Sequence, residues 1–207
     1  MSKKISVLLV LVLISIIYVG ATIANEKDKS LDTQNVTNVS EESEKEETKD
    51  KDKQKNKETN DKMNIEIKEK LKKEKLKKEF KVKLPKEKLK ANAFNAKVLN
   101  NVAESTQIVD IVFWTEDGKM YSFGQEELAS PQHEIVDNIL SHFFNEGQIT
   151  ELEVQGHPAI YHQYDEGVEG NRNMYLITEK YGFLISSPHL TMEEMISIAE
   201  SIDLDAE

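Results

Sequence analysis

Apolar residues are distributed along this chain in three different ways. From Ile5 to Val19 they form a block, ISVLLVLVLISIIYV, without a single charge. From about Asn25 to Asp61 they almost vanish. From Phe80 onward they return, now alternating with polar residues or recurring at helical spacing. Each pattern predicts a different physical state. An unbroken apolar block suits a membrane or a secretory signal. A stretch this polar cannot bury enough surface to offset the entropy of ordering, so residues 25–61 read as a disordered charged spacer. Alternation and helical stripes predict a packed domain over residues 80–207.

Within that domain KVKLP reads as a short strand stopped by Pro85, and NAKVLNN as a second. The stretch QIVDIVFWTEDGKMYSFG predicts a hairpin with Asp117-Gly118 as a two-residue turn. That turn sets Trp114 opposite Tyr121 and Val112 opposite Phe123. Ile108, Asp110, Val112, Trp114, Tyr121 and Phe123 then share one face, and Val109, Ile111, Phe113 and Met120 the other. Both faces are apolar, so each should be covered or line a cavity. SPQHEIVDNILSHFFNEG predicts a helix begun by Ser130 and Pro131, with Gly147 just past its end. TELEVQG, AIYHQY and the hairpin MYLITEKYGFLIS supply further strands. In HLTMEEMISIAESI, Thr191 and Glu194 stand as a capping box, with Met195, Ile196, Ala199 and Ile202 as the apolar stripe and Ile198 at its edge. The expected fold is α+β: an antiparallel sheet with two helices packed on one face.

The N-terminus predicts the compartment. Lys3 and Lys4 precede the apolar block, and the small residues Ala21 and Ala24 follow it. Two readings stand: a signal peptide over residues 1–24, cleaved after Ala24 or Ala21, or an uncleaved anchor. Both leave the lysines inside and export the rest, whether secreted or membrane-anchored.

Charge divides the chain as well. Residues 1–97 hold 24 lysines against 17 acids, and residues 98–207 hold 3 basic residues against 21 acids. The acidic half disfavours nucleic acid, which needs clustered Lys and Arg. Residues 62–79 form a Lys-rich, partly helical segment. The unit KEKLK occurs there twice, at 68–72 and 73–77, and again at 86–90. Its Leu71, Leu76 and Phe80 follow no helical repeat, so the segment reads as a solvated extension of the spacer or as a strip for anionic cell-wall polymer or lipid headgroups. The chain has no cysteine, which removes disulfides, thiolate catalysis and cysteine-ligated metals.

The run Gly156-His157-Pro158-Ala159, a following hairpin with an aromatic pair, and a Thr-x-Glu-Glu helix ending IAESI resemble a Gram-positive domain-of-unknown-function family, numbered 4367, over roughly residues 80–204. The resemblance implies an exported binding or sensing domain, akin in places to extracytoplasmic domains linked to lipoprotein carriers and membrane-stress signalling. It implies no catalytic residue. Only about four residues precede the apolar block, which leaves no room for the cytoplasmic domain of a signalling relative.

The candidate chemistry is sparse. His133, His142, His157, His162 and His189 all lie in the acidic domain. Their spacing sets His133 and His142 on opposite sides of a helix, and His157 and His162 on opposite faces of a strand, so no metal site is expected. Asp165, Glu166 and Glu169 lack the regular spacing of a calcium loop. GxSxG, SxxK, HExxH and phosphate-loop motifs are missing, and no cofactor is expected. Asp110 interrupts an apolar strand, so it stands at an edge or strand end, or has a partner such as Arg172 or Lys119, or else anchors a ligand together with Trp114 and Tyr121. The expectation is a non-catalytic binding or sensing module of a bacterial envelope, whose partner is a protein, peptide or lipid. The alternative is an extracytoplasmic hydrolase or cation-dependent enzyme with an unmarked site.

Overall fold

The computed structural model describes residues 45–101, 106–143, 147–164 and 171–205, with side chains from residue 57 onward, Asn101 apart. The segment 1–24 and the first part of the spacer lie outside them. Helix α1 (Lys45–Lys73) comes first, then strands β1 (Ala91–Asn101), β2 (Thr106–Thr115) and β3 (Met120–Glu127). Helix α2 (Gln132–Phe143) follows, then β4 (Gln148–Val154), β5 (His157–Gln163), β6 (Arg172–Ile177) and β7 (Tyr181–Ser187), and finally α3 (Met192–Glu200). The seven strands form one antiparallel sheet in the order β1-β2-β3-β7-β6-β5-β4. The fold is α+β, as the residue pattern predicts.

The two expected helices divide between the faces of the sheet instead of sharing one. Met195, Ile198, Ala199 and Ile202 of the α3 region pack with Ile111, Phe113, Phe123, Met174 and Ile185 on one face, the inner face. On the opposite, outer face Ile135, Ile139 and Phe143 of α2 pack on Ile160, Tyr175, Ile177 and Leu184. Ile198, expected at the edge of the α3 stripe, is at its centre, and Ile196 is only partly buried. Strands β5, β6 and β7 are therefore covered on both sides, which is why they read as near-continuous apolar runs.

A third helix completes the inner layer. Met63, Ile67 and Leu71 recur every four residues and are buried in the same core, each side chain contributing about 1.5–3 kcal/mol. Asn60, one turn earlier, donates from Nδ2 to Lys86 O at 2.9 Å. Helix α1 runs through the boundary expected at residue 61, and its apolar stripe docks the Lys-rich segment, whose leucines drift only when counted from Leu71 forward. Helix α1 stops there because Lys75 turns left-handed (φ 64°). Its N–H and that of Leu76 reach back to Lys72 O and Leu71 O at 3.3 Å, the paired closure of a Schellman motif.

Residues 81–85, expected as a strand, join the sheet through no ladder, Pro85 making only an isolated bridge to Ile202, and the chain reaches them across the inner face through a turn at Lys78-Glu79. Backbone groups of Lys77, Lys81 and Lys83 are satisfied by two inward glutamines. Gln107 Oε1 accepts from Lys77 N at 2.7 Å, while Gln125 Oε1 accepts from Lys83 N and its Nε2 donates to Lys81 O, both at 2.8 Å. Gln125 is fully buried, a position tolerable only because both ends of its amide are used.

The β2–β3 register differs by one from the expectation. Thr115 N donates to Lys119 O at 3.0 Å, so the loop is Glu116-Asp117-Gly118, with Gly118 left-handed at φ 81°. Phe113 pairs with Tyr121, and Val112 with Ser122. A one-residue slip moves every side chain of β3 to the other face. The Thr115 hydroxyl favours the longer loop, donating to Asp117 Oδ1.

Candidate functional site

The register decides which candidates meet. Asp110, Val112 and Trp114 stay together on the outer face of β2, while Tyr121 goes to the inner core, stacked on Phe113 with centroids 5.0 Å apart. Tyr121 is buried, and desolvation together with the charge of Glu87 holds its hydroxyl well above the usual tyrosine range. It belongs to the core and does not join Asp110 and Trp114.

Asp110 finds its partner in neither Arg172 nor Lys119. Lys97, directly opposite on β1, places Nζ 3.2 Å from Asp110 Oδ2. The carboxylate is buried and the lysine partly exposed. Burial raises the Asp110 pKa above the ordinary aspartate value, and the charge and hydrogen bond of Lys97 oppose that shift. Arg172 instead donates from Nη1 to Leu190 O at 2.7 Å, and Lys119 pairs with Glu194. Beyond Asp110 the strip continues through half-buried Val112 to Trp114, whose side chain is 37 % exposed. Ile65 and Trp114 are the large apolar residues left exposed among the described residues. The strip presents an ion pair at one end and an indole at the other.

A second feature shares this face and was not apparent from residue types. One cross-strand row runs Asn95, Val112, Ser122, Ser186, Asn173, His162, Ile149, one residue from each strand. Its exposure falls from Asn95 at the open side to Asn173 and His162, both 0 % exposed. The Phe143 ring closes the buried end, stacked on His162 at 4.2 Å, and Tyr164 lies edge-on to His162 at 4.4 Å. Neither amide atom of Asn173 has a hydrogen-bond partner among the described residues, nor does the Tyr175 hydroxyl two residues along the same face. Burial raises the Tyr175 pKa, Tyr164 adds to the rise, and the neighbouring Asn173 amide opposes it. The Asn173 amide and the Tyr175 hydroxyl are therefore within reach of one another. Only strand register brings these residues together, since nothing in RNMYLI distinguishes Asn173 from an edge residue.

The histidines do not converge. His133 and His189 are exposed, His142 touches the edge of Phe143, and His157 and His162 take opposite faces of β5. Among the described residues no group of three or more His, Asp or Glu side chains is placed to hold a metal ion. Asp165, Glu166 and Glu169 lie outside the described residues.

No curated protein and no solved structure matches the chain. The model of one family does match, over residues 84–202, from Leu84 ahead of β1 through the capping-box helix to Ile202. The chain therefore belongs to the family described as Domain of unknown function (DUF4367).

Proposed function

We propose that this chain is an extracytoplasmic binding or sensing module of a bacterial envelope, tethered or released by its N-terminal segment. The observation that carries the reading is the block Ile5–Val19 behind Lys3 and Lys4, succeeded by a charged stretch and then the DUF4367 domain. An uninterrupted apolar run with a positive flank is costly in water and directs the chain beyond it across the membrane. The outer strip of Lys97, Asp110, Val112 and Trp114 is the surface offered to a protein or peptide partner. Its support is the exposed indole, since tryptophan is enriched among residues that carry binding energy. Lys72, Lys73, Lys75, Lys78 and Lys81 are exposed and form no ion pair among the described residues, which supports a secondary, salt-sensitive contact with anionic wall polymer.

Protease added to intact cells stripped of their wall tests the location. The reading expects the domain to be digested, or found in the medium. Full protection until the membrane is lysed overturns it. Cross-linking from a photoreactive residue at position 114 tests the surface, with capture of one partner expected, and capture unchanged from a residue at position 134 counting against the strip.

A further inference from the structure

We propose that the free edge of β4 is a strand-addition site for an extended segment of a partner protein that carries Lys or Arg at alternate positions. The site lies at the opposite end of the sheet from the strip of β1 and β2 used by the function proposed above, and it stands or falls separately.

Strand order leaves β1 and β4 at the two edges of the sheet. An edge strand invites pairing with another chain, so folds cover or guard it. Strand β1 is covered. Its Ala96 is 1 % exposed and packs in one core with Ile67 and Leu71 of α1, and Lys70 of that helix donates from Nζ to Asn95 Oδ1 at 2.7 Å. Strand β4 is left open: Gln148, Thr150, Glu151 and Glu153 are all exposed.

Register fixes which backbone groups that edge presents. Gln155 and Gly156, left-handed at φ 53° and 76°, form a two-residue turn that closes the hairpin on the pair Val154 and His157. Backbone groups alternate in direction along a strand. Val154, Leu152 and Thr150 therefore face β5, and Glu153, Glu151 and Ile149 face away from the sheet. The far side of β5 agrees, since Tyr164 N donates to Asn171 O toward β6, which turns Gln163 and Tyr161 to β4. The N–H and C=O groups of Ile149, Glu151 and Glu153 have no hydrogen-bond partner among the described residues. They form the open half of a ladder, the feature that strand addition uses.

Side chains select the occupant. Glu151 and Glu153 share the outer face of β4 and form no ion pair among the described residues. A second copy laid antiparallel on β4 sets glutamate against glutamate or against Ile149, and neither arrangement neutralises the charge. A strand with a basic residue opposite each glutamate does so. Ile149 on the outer face and Leu152 on the inner face are partly buried at the rims of the two hydrophobic clusters, so each leaves apolar surface for the newcomer to cover. Read antiparallel to β4, the added strand is basic, apolar, basic, any residue, apolar, opposite Glu153, Leu152, Glu151, Thr150 and Ile149 in turn.

The probe is a fluorescent, end-capped peptide of sequence Thr-Lys-Val-Lys-Thr-Ile-Thr, titrated with the full-length chain in nonionic detergent micelles. Saturable binding is expected, with slowed amide exchange in the segment holding Ile149, Glu151 and Glu153. Glutamate in place of both lysines should weaken binding about tenfold. N-methylation of the second lysine, whose N–H faces β4, should abolish binding, while N-methylation of the valine, whose N–H faces away, should leave it largely intact. Glu151→Lys together with Glu153→Lys, both at exposed positions, should reverse the preference in favour of the glutamate peptide, an outcome that only a folded sheet can give. Equal weakening by the two N-methyl peptides would reduce the binding to charge attraction and overturn the proposal. So would a preference unchanged by the charge reversal, self-association of the chain through β4, or the lack of saturable binding at millimolar peptide.

Discussion

Lys97 Nζ lies 3.2 Å from Asp110 Oδ2 across the β1–β2 pair, on the sheet face opposite Tyr121. A buried carboxylate is thereby held by a lysine whose own side chain is 40 % exposed. The pair is asymmetric, and its two halves should respond differently to substitution. Lys97→Met leaves the charge of Asp110 buried and unpaired and should cost about 1–3 kcal/mol, read as a lower urea midpoint. Replacing both residues, Lys97→Met with Asp110→Leu, should recover most of that loss.

The same pair predicts a pH dependence. The Asp110 pKa is raised on folding, so the folded state holds its proton more tightly than the unfolded state. Its contribution is fully present below the unfolded value near 3.8 and is lost as pH rises through the folded value. Asp110→Asn removes this term. The stability difference between variant and wild type should therefore move in favour of Asn as pH is raised from about 3 to 7. A difference that stays flat over that range would show that Lys97 fully offsets the burial.

Lys88 carries the opposite lysine case. Its side chain is 0 % exposed, Nζ donates to Pro85 O at 2.6 Å, and burial lowers its pKa from 10.5 to about 8, opposed by Asp61 and Glu87. A lysine with a depressed folded pKa destabilises most below that value, and the penalty fades as pH rises to the unfolded one. Stability should gain roughly 3 kcal/mol from this group between pH 8 and 10.5. Lys88→Met should be more stable than wild type at pH 7, and the advantage should shrink over that window in urea melts.

Docking of α1 is tested by two isoleucines two residues apart. Ile67 is 0 % exposed against the sheet and Ile65 is 60 % exposed. Ile67→Ala should cost about 2–5 kcal/mol and Ile65→Ala within about 0.5 kcal/mol. Equal, small effects by urea denaturation would mean that the helix is solvated on every side.

The cap of α3 gives a smaller, local effect. Glu194 N donates to the Thr191 hydroxyl at 3.2 Å, and Thr191 N donates to Glu194 Oε2 at 2.9 Å. Thr191→Ala should cost about 1 kcal/mol, with Thr191→Ser retaining most of the stability in thermal melts.

What the sequence by itself determined was local. The capping box at Thr191, the stripe of Ile135, Ile139 and Phe143, and the strands from β4 to β7 depend on contacts within a few residues, and their signals survive in one dimension. The need of Asp110 for a partner was equally legible, because burying an unpaired carboxylate is costly in any fold. The identity of that partner was not, since Lys97 reaches it only through the register of β1 on β2. Tertiary structure also decided the faces: a three-residue loop at Glu116-Asp117-Gly118 sent Tyr121 into the core, and α2 and α3 took opposite sides of the sheet. It converted a stretch dominated by lysine into a docked helix, because Met63, Ile67 and Leu71 gain their meaning only when an apolar sheet face is there to receive them. Asn173 shows the limit most plainly. Its burial arises from neighbours on the two flanking strands, neither of which its own segment specifies.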